Sequence, residues 1–217
     1  EKMFDETAPD VNGDGTVTYF FSSAVNRLTS GSGGFITGFF NAADLFDMPQ
    51  SNKREIIYML VPSDGFDNTT PVSASFVINN LLTSVPGHEF QHLLNFKAHS
   101  IDRNAATETP SLNEGMSHLI EDLQTLDIDV VKGLLEDSSE DDSDYYMPSA
   151  GIENYSRVAV YLEQPNICFT CGASLVQRGG SYLFLRYLYE QAEKGHIENA
   201  RSGLQFLRNL MQTGNVG

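Results

Sequence analysis

Apolar residues form short runs in the first part of the chain and helical periods in the second. Four runs rich in β-branched and aromatic residues precede residue 80, and turn-forming Gly, Pro, Asn and Asp separate them. Such runs predict strands. The expected strands cover residues 16–21, 35–40, 55–61 and 72–78.

After residue 80 the apolar positions recur every three to four residues, as in helices that bury one face. The first helix is expected to begin at Thr83 or Ser84, either of which can cap it, with Pro86 in its first turn. Further helices are expected over residues 112–126, 158–162, 180–191 and 197–211. Strands followed by helices predict an α+β fold.

Length and charge narrow the class of protein. With 217 residues, the chain is expected to be one domain, residues 1–217. Its β-rich lobe, residues 1–98, includes the first long helix, and a mainly helical lobe covers residues 99–217. The formal net charge of −16 argues against a nucleic-acid partner. No apolar run has the length of a membrane span.

The two ends of the sequence look cut, because it starts abruptly at Glu1 and stops after a polar tail over residues 213–217. We therefore expect a processed protein or a piece of a longer one, in which a missing signal peptide says little about compartment. The acidic composition suits an exported protein, although many cytosolic proteins are equally acidic. We expect a protein that is secreted or held at the cell surface.

The stretch from Gly87 to His92 reads G-H-E-F-Q-H, an H-E-x-x-H motif. Residues four apart lie on one face of a helix, so His88 and His92 could hold one Zn²⁺ between them. Glu89 then lies beside the position where a water would bind. Chance would produce this motif in about one such sequence in a hundred, so a metal site is favoured.

A catalytic zinc usually has three protein ligands, and four residues compete to be the third. His99 would lie about 10 Å along the helix axis from His92, out of reach. Glu114 and His118 are better placed, on a separate helix that can pack across the first. Glu121 is one further turn along the same face.

Two further motifs each leave two interpretations open. Cys168 and Cys171 form a lone C-x-x-C, which is either a short disulfide of an exported protein or a free thiol pair.

The stretch D-V-N-G-D-G beginning at Asp10 resembles the start of an EF-hand loop, but Phe21 stands where that loop needs a Glu. A turn that leads into a strand is favoured over a weak Ca²⁺ site formed by Asp10, Asn12 and Asp14.

The acidic run over residues 137–144 is expected to be a solvated loop rather than a cation-binding site or a lid.

The motif H-E-x-x-H followed by N-E-x-x-S-[DH] resembles the gluzincins, the thermolysin-like zinc peptidases. The stretches G-H-E-F-Q-H-L-L-N-F, E-T-P-S-L-N-E-G-M-S-H-L-I-E-D-L and G-G-S-Y-L-F-L-R-Y-L-Y-E-Q are similar to the hyicolysin family of bacterial secreted metallopeptidases. The resemblance spans residues 80–190, with a weaker likeness at D-V-N-G-D-G-T-V-T. It implies a zincin-like fold in which His88, His92 and Glu114 bind Zn²⁺ and Glu89 is the catalytic base.

The sequence departs from the thermolysin pattern four residues after Glu114, where those enzymes carry Asp and this chain has His118. A ligating His donates its other ring N–H to a partner, so either His118 or Glu121 should lie beside His88 or His92. We favour Glu121, because a carboxylate raises the basicity of an imidazole more than a neutral His does.

Thermolysin-like enzymes also use a Tyr or His to stabilise the oxyanion. We place Tyr182 first for this role, because it stands in a stretch that resembles the family. The other candidates are Tyr145, Tyr146, Tyr155 and His196.

The resemblance implies an endopeptidase that cleaves protein or peptide substrates, since no G-x-M-E-N exopeptidase motif is present. One alternative is a catalytically silent binding or adhesion module with a structural metal, although such a site needs no base at Glu89. The other is a calcium-stabilised surface module with a chance H-E-x-x-H.

Overall fold

A small sheet and a larger set of helices make up the fold, in a computed structural model that describes residues 6–29, 35–126 and 149–213. The fold is α+β and rich in helix, as the sequence predicts. The strands are β1 (Thr18–Phe21), β2 (Gly38–Phe40) and β3 (Ile56–Met59). The helices are α1 (Ser23–Asn26), α2 (Ala74–Phe76), α3 (Val85–Phe96), α4 (Pro110–Leu126), α5 (Ser149–Glu163), α6 (Leu175–Glu193) and α7 (Gly203–Gln212). The acidic run over residues 137–144 lies outside the described residues.

The sheet has the strand order β1-β3-β2, with β3 in the centre. β1 runs parallel to β3, with Thr18 opposite Ile56, and β2 runs antiparallel, with Gly38 opposite Met59. Ile57 and Met59 are fully buried, whereas Phe20 on the edge strand is half exposed. The unbroken apolar run of β3 thus marks the strand that is covered on both faces.

The predicted strand over residues 72–78 is wrong. Val72 forms only an isolated bridge with Ser63, and the chain then enters α2 and one wider helical turn, Val77–Leu81. The Ser73 hydroxyl accepts a hydrogen bond from the Phe76 N–H at 3.1 Å and caps α2. A short apolar run does not distinguish strand from helix, and here the serine cap decides.

Helix α3 lies between the sheet and the other helices, because its apolar residues face both ways. On the sheet side Val85 joins a core that includes Ile57, Met59 and Leu81. On the helical side α3 belongs to a second core, formed by Leu93, Leu94, Met116, Leu119, Leu185, Leu207 and Met211. Phe90 packs against both cores. The polar residues of α3 are thereby fixed at the junction of the two cores.

Helices α5 and α6 approach each other closely at Gly179. A Cβ atom built on Gly179 would lie 2.2 Å from the carbonyl oxygen of Arg157, closer than atoms can approach. Only glycine therefore permits this crossing. The N-terminus of α6 is fixed by a capping box, in which Ser174 accepts from Gln177 N–H and the Gln177 side chain accepts from Ser174 N–H.

A disulfide joins Cys168 and Cys171 just before α6, with sulfur atoms 2.01 Å apart. This is the first of the two interpretations of the C-x-x-C motif. Among the helices of the described residues, none has the length and apolar character needed to cross a membrane.

Candidate metal centre

Six polar residues of α3 and α4 meet where these two helices pack together. Helix α3 supplies His88, Glu89 and His92, and α4 supplies Glu114, His118 and Glu121. Most of them are buried, and His92 and Glu114 are partly exposed. Because α3 and α4 are each fixed by the helical core, the positions of these side chains follow from helix packing.

Glu114 lies beside both histidines of the H-E-x-x-H motif. The Nε2 atom of His88 lies 3.4 Å from Glu114 Oε2, and the Nε2 atom of His92 lies 3.8 Å from Glu114 Oε1. Bonds of 2.0–2.1 Å in a tetrahedral zinc site separate the ligand atoms by about 3.3 Å. Glu89 forms a group with the same two histidines, their ligand atoms all within 4.8 Å of one another.

The opposite nitrogen of His88 faces Glu121. The Nδ1 atom of His88 lies 2.6 Å from Glu121 Oε1, and the Nδ1 atom of His118 lies 3.0 Å from Glu121 Oε2. These three residues are also close enough to hold an ion. However, distances of 2.6 and 3.0 Å are those of hydrogen bonds, shorter than the separation of two ligands on one ion. We therefore interpret Glu121 as a bridge that orients both rings.

The charges of this cluster favour a bound cation. Burial disfavours a charged His88, but the carboxylates of Glu121 and Glu114 outweigh it and raise its pKa to about 10. Burial, together with the charge on His88, lowers the pKa of His92. Burial also lowers the pKa of His118 to about 4, despite the attraction of Glu121. The carboxylates therefore favour a positive charge at His88, and a divalent ion beside them would supply that charge.

The two carboxylates of α4 are held ionised. Burial opposes the charge of Glu114, but the hydrogen bond with His88 and the charges of His92, His88 and Arg178 lower its pKa to about 2. For Glu121, the charges of His118 and His88 outweigh burial and hold its pKa far below the usual range. In addition, His118 Nε2 is buried without a hydrogen-bond partner among the described residues, 4.0 Å from Glu114 Oε2. The donor set, its spacing and its charge all fit a divalent ion.

Glu89 points toward strand β2. Its Oε2 atom accepts a hydrogen bond from the Phe40 N–H at 3.0 Å, although the two residues are 49 positions apart in sequence. This bond uses one carboxylate oxygen and restrains its position. The other oxygen keeps its lone pairs for a proton donor.

A cleft of about 1030 Å³ opens onto the cluster, and its size suits a ligand larger than a single amino acid. Its apolar lining includes Phe35, Ile36, Phe39, Phe40, Phe76 and Val85. Residues of α5 and of the start of α6 also line it, among them two arginines, Arg157 and Arg178.

The arginines are site residues that the sequence analysis missed. The Nη1 atom of Arg178 lies 2.9 Å from Glu114 Oε2, and the Nη1 atom of Arg157 lies 3.9 Å from Glu121 Oε2. Arg157 also pairs with Glu153 at 2.8 Å. No motif spacing connects these arginines to α4, so only the packing of α5 and α6 against α4 reveals them.

The other sequence-predicted residues do not line the described part of the cleft. The Tyr182 hydroxyl donates to Asp122 at 2.9 Å, and burial together with the Asp122 charge raises its pKa. His99 is fully buried. Tyr155 is 72% exposed on α5, and His196 contacts a glutamine at the surface. Two further tyrosines, Tyr145 and Tyr146, lie outside the described residues.

No protein-family model matches this chain. Over 91 residues it is 34% identical to the neutral metalloprotease ShpI of Staphylococcus hyicus. The match covers 40% of this chain and 18% of that protein, so the chain spans less than a fifth of its relative. This partial similarity supports a relationship to metalloproteases and nothing finer.

Proposed function

We propose that this chain is a zinc-dependent endopeptidase domain with a zincin-like fold, secreted or held at the cell surface. The observation that carries the proposal is that His88, Glu89 and His92 form a group whose ligand atoms lie within 4.8 Å of one another. Glu114 lies beside both histidines, at 3.4 and 3.8 Å. The cleft above these residues has room for a peptide. The partial similarity to a metalloprotease supports the same reaction class.

In this proposal each residue of the site has one task. His88, His92 and Glu114 would hold a Zn²⁺ ion, which would polarise a water and the substrate carbonyl. Glu89 takes the proton of the attacking water on its free oxygen and passes it to the leaving amine. The Phe40 N–H holds the other Glu89 oxygen and thereby restrains the carboxylate.

Neighbouring residues orient the ligands. Glu121 accepts the Nδ1 proton of His88 and thereby directs its Nε2 atom toward Glu114. The Arg178 guanidinium holds Glu114 from the other side, and it is a donor already in the cleft for a developing oxyanion. A role for Tyr182 in stabilising the oxyanion stays a prediction, since its hydroxyl would first have to break its hydrogen bond with Asp122.

Metal analysis combined with casein hydrolysis tests the proposal. We expect about one zinc per chain, because the two histidines and Glu114 form one ligand set. Hydrolysis should stop on chelation and return with zinc. Zinc without hydrolysis would support the silent binding module instead. Calcium as the sole metal, again without hydrolysis, would support the calcium-stabilised surface module.

Replacing Glu121 by alanine should weaken zinc binding by ~10–100-fold, because His88 loses the group that orients its ring. His118→Ala should have a smaller effect, since it contacts Glu121 rather than a ligand nitrogen. Zinc affinity is measured by competition with a chromogenic chelator. Glu190→Ala, which removes an exposed carboxylate of α6, is the control and should leave the affinity unchanged. Unchanged affinity in both test variants would place the orienting group elsewhere.

A further inference from the structure

Asn95 is a buried polar residue of α3 that has no part in the roles given above. It is 2% exposed, and its Oδ1 atom is buried without a hydrogen-bond partner among the residues that the structure describes. Burying an amide oxygen in this way lowers stability, and an apolar side chain of similar shape would avoid the loss. Asn95 therefore calls for an explanation other than packing.

The nitrogen of the same amide joins α3 to α4. Asn95 Nδ2 donates a hydrogen bond to Asn113 Oδ1 at 2.9 Å. Asn95 follows His92 by three residues and lies on the same face of α3. Asn113 directly precedes Glu114 on α4. The hydrogen bond thus crosses between the helices beside two of the proposed zinc ligands, and both asparagines line the cleft.

Asn113 also forms a hydrogen bond with His92. Burial has the largest influence on the pKa of His92 and lowers it, whereas the hydrogen bond with the Asn113 side chain raises it. A hydrogen bond has this effect when it stabilises the protonated ring, so the Asn113 oxygen accepts from a ring N–H. An amide oxygen has two lone pairs, and it can therefore accept from His92 and from Asn95 at once.

A second polar neighbour of His92 does not determine its tautomer. Ser117 Oγ lies 3.3 Å from His92 Nδ1 and 3.4 Å from His92 Nε2, and it donates to Gln91 Oε1. Because Ser117 is almost equally distant from the two ring nitrogens, it does not select which of them carries the proton. That selection falls to Asn113.

We propose that Asn95 is a positioning residue for His92 and acts through Asn113. The Asn95 amide holds Asn113 Oδ1 in place, and this oxygen accepts the Nδ1 proton of His92. His92 Nε2, which lies 3.8 Å from Glu114 Oε1, then keeps its lone pair for the metal. Because His92 is a ligand only in the proposed function, this role of Asn95 rests on that function.

Replacing Asn95 by leucine tests this role, because leucine keeps the branched shape and removes the amide. Competition with a chromogenic chelator should show zinc affinity lowered by about 10-fold, the lower end of the range for groups that orient a ligand. At saturating zinc, kcat on a fluorogenic peptide should fall by about 10-fold. KM should stay within about twofold, since no contact with substrate is removed.

Two readouts separate positioning from a structural role. The visible absorption spectrum of the Co²⁺-substituted chain should change in Asn95→Leu, because it depends on the geometry of the ligands. The Tm of the metal-free chain should not fall, because the variant no longer buries an oxygen without a partner. A structural role would lower the Tm and leave the spectrum unchanged.

A second variant tests the route through Asn113. Asn113→Ala, at a partly exposed position, should lower zinc affinity as Asn95→Leu does, and it serves if that variant does not fold. Combining the two substitutions should lower the affinity no further, because the residues act in series.

Asn26→Leu is the matched control. Asn26 is also 2% exposed, but its amide makes two hydrogen bonds with the Val61 backbone, at 2.9 and 3.1 Å. Asn26→Leu should therefore lower the Tm while the folded chain keeps its zinc affinity and Co²⁺ spectrum.

The outcomes distinguish this role from the proposed function. If the wild-type chain binds zinc and hydrolyses peptides while Asn95→Leu and Asn113→Ala keep full zinc affinity, Asn95 has no positioning role and the proposed function stands. A lower Tm with an unchanged Co²⁺ spectrum in Asn95→Leu would likewise make Asn95 a structural residue. A wild-type chain that does not bind zinc would refute the proposed function, and the role of Asn95 with it.

Discussion

Replacing Glu89 by glutamine is expected to reduce peptide hydrolysis by ~10²-fold or more while zinc stays bound. The amide has nearly the shape of the carboxylate and still accepts from the Phe40 N–H, so the site keeps its geometry. What it loses is the group that takes the proton of the attacking water. The measurements are kcat on a casein-derived fluorogenic peptide and the zinc content of the same sample.

The matched control for this variant is Glu153→Gln, which removes a second carboxylate that lines the cleft but is half exposed and paired with Arg157. The rate of hydrolysis by Glu153→Gln should remain within about twofold of wild type, because most substitutions at exposed positions have small effects. Hydrolysis by Glu89→Gln at the wild-type rate would refute the role of Glu89 as the base. Loss of zinc in that variant would instead make Glu89 a ligand.

Replacing Glu114 by glutamine is expected to remove both zinc and activity. A neutral amide is a weaker ligand than a carboxylate, and the substitution leaves Arg178 without its partner at 2.9 Å. Loss of a residue that hydrogen-bonds to a metal ligand lowers metal affinity by up to ~100-fold. Because Glu114 is itself a proposed ligand, we expect zinc affinity to fall by more than this. Competition with chelators of graded strength measures the affinity, and excess zinc should restore part of the hydrolysis.

The result for Glu114 decides between the two clusters that share His88. If zinc sits between His88, His92 and Glu114, then Glu114→Gln should lower the affinity more than Glu121→Ala does. If Glu114→Gln binds zinc normally and Glu121→Ala does not, the ion lies on the other side of the His88 ring. Glu163→Gln, at the exposed end of α5, is the control for the lost charge.

The sequence predicted the features that depend on local periodicity, namely the helices and the residues that share a helical face. Helices α3 and α4 form where the 3.6-residue pattern placed them, and the four-residue spacing of His88 and His92 put both on one face. The contact of Glu121 with His88 was expected for the same reason, since Glu121 follows Glu114 by two turns of α4. The strand predicted over residues 72–78 failed because the run is too short for its period to be read.

Contacts between segments that are distant in the chain could not be predicted from the sequence. Arg178 reaches Glu114, and the Phe40 N–H reaches Glu89, only after α6 and β2 have packed beside α3 and α4. Glu55 meets the loop at residues 10–16 only because β1 and β3 pair in parallel. None of these pairs has a fixed spacing, so a single sequence has no pattern that predicts them.

Position 179 shows that a residue without a functional group can control the chemistry of a cleft. The Gly179 Cα faces the backbone of Arg157, and its preceding neighbour is Arg178, so one added methyl group would push apart the two helices that carry these guanidinium groups. Glu114 and Glu121 would then lose positive neighbours although no charged atom had been changed. Directed evolution that randomises only the polar residues of the cleft would therefore overlook Gly179. A substitution there would alter the electrostatic field of the cleft.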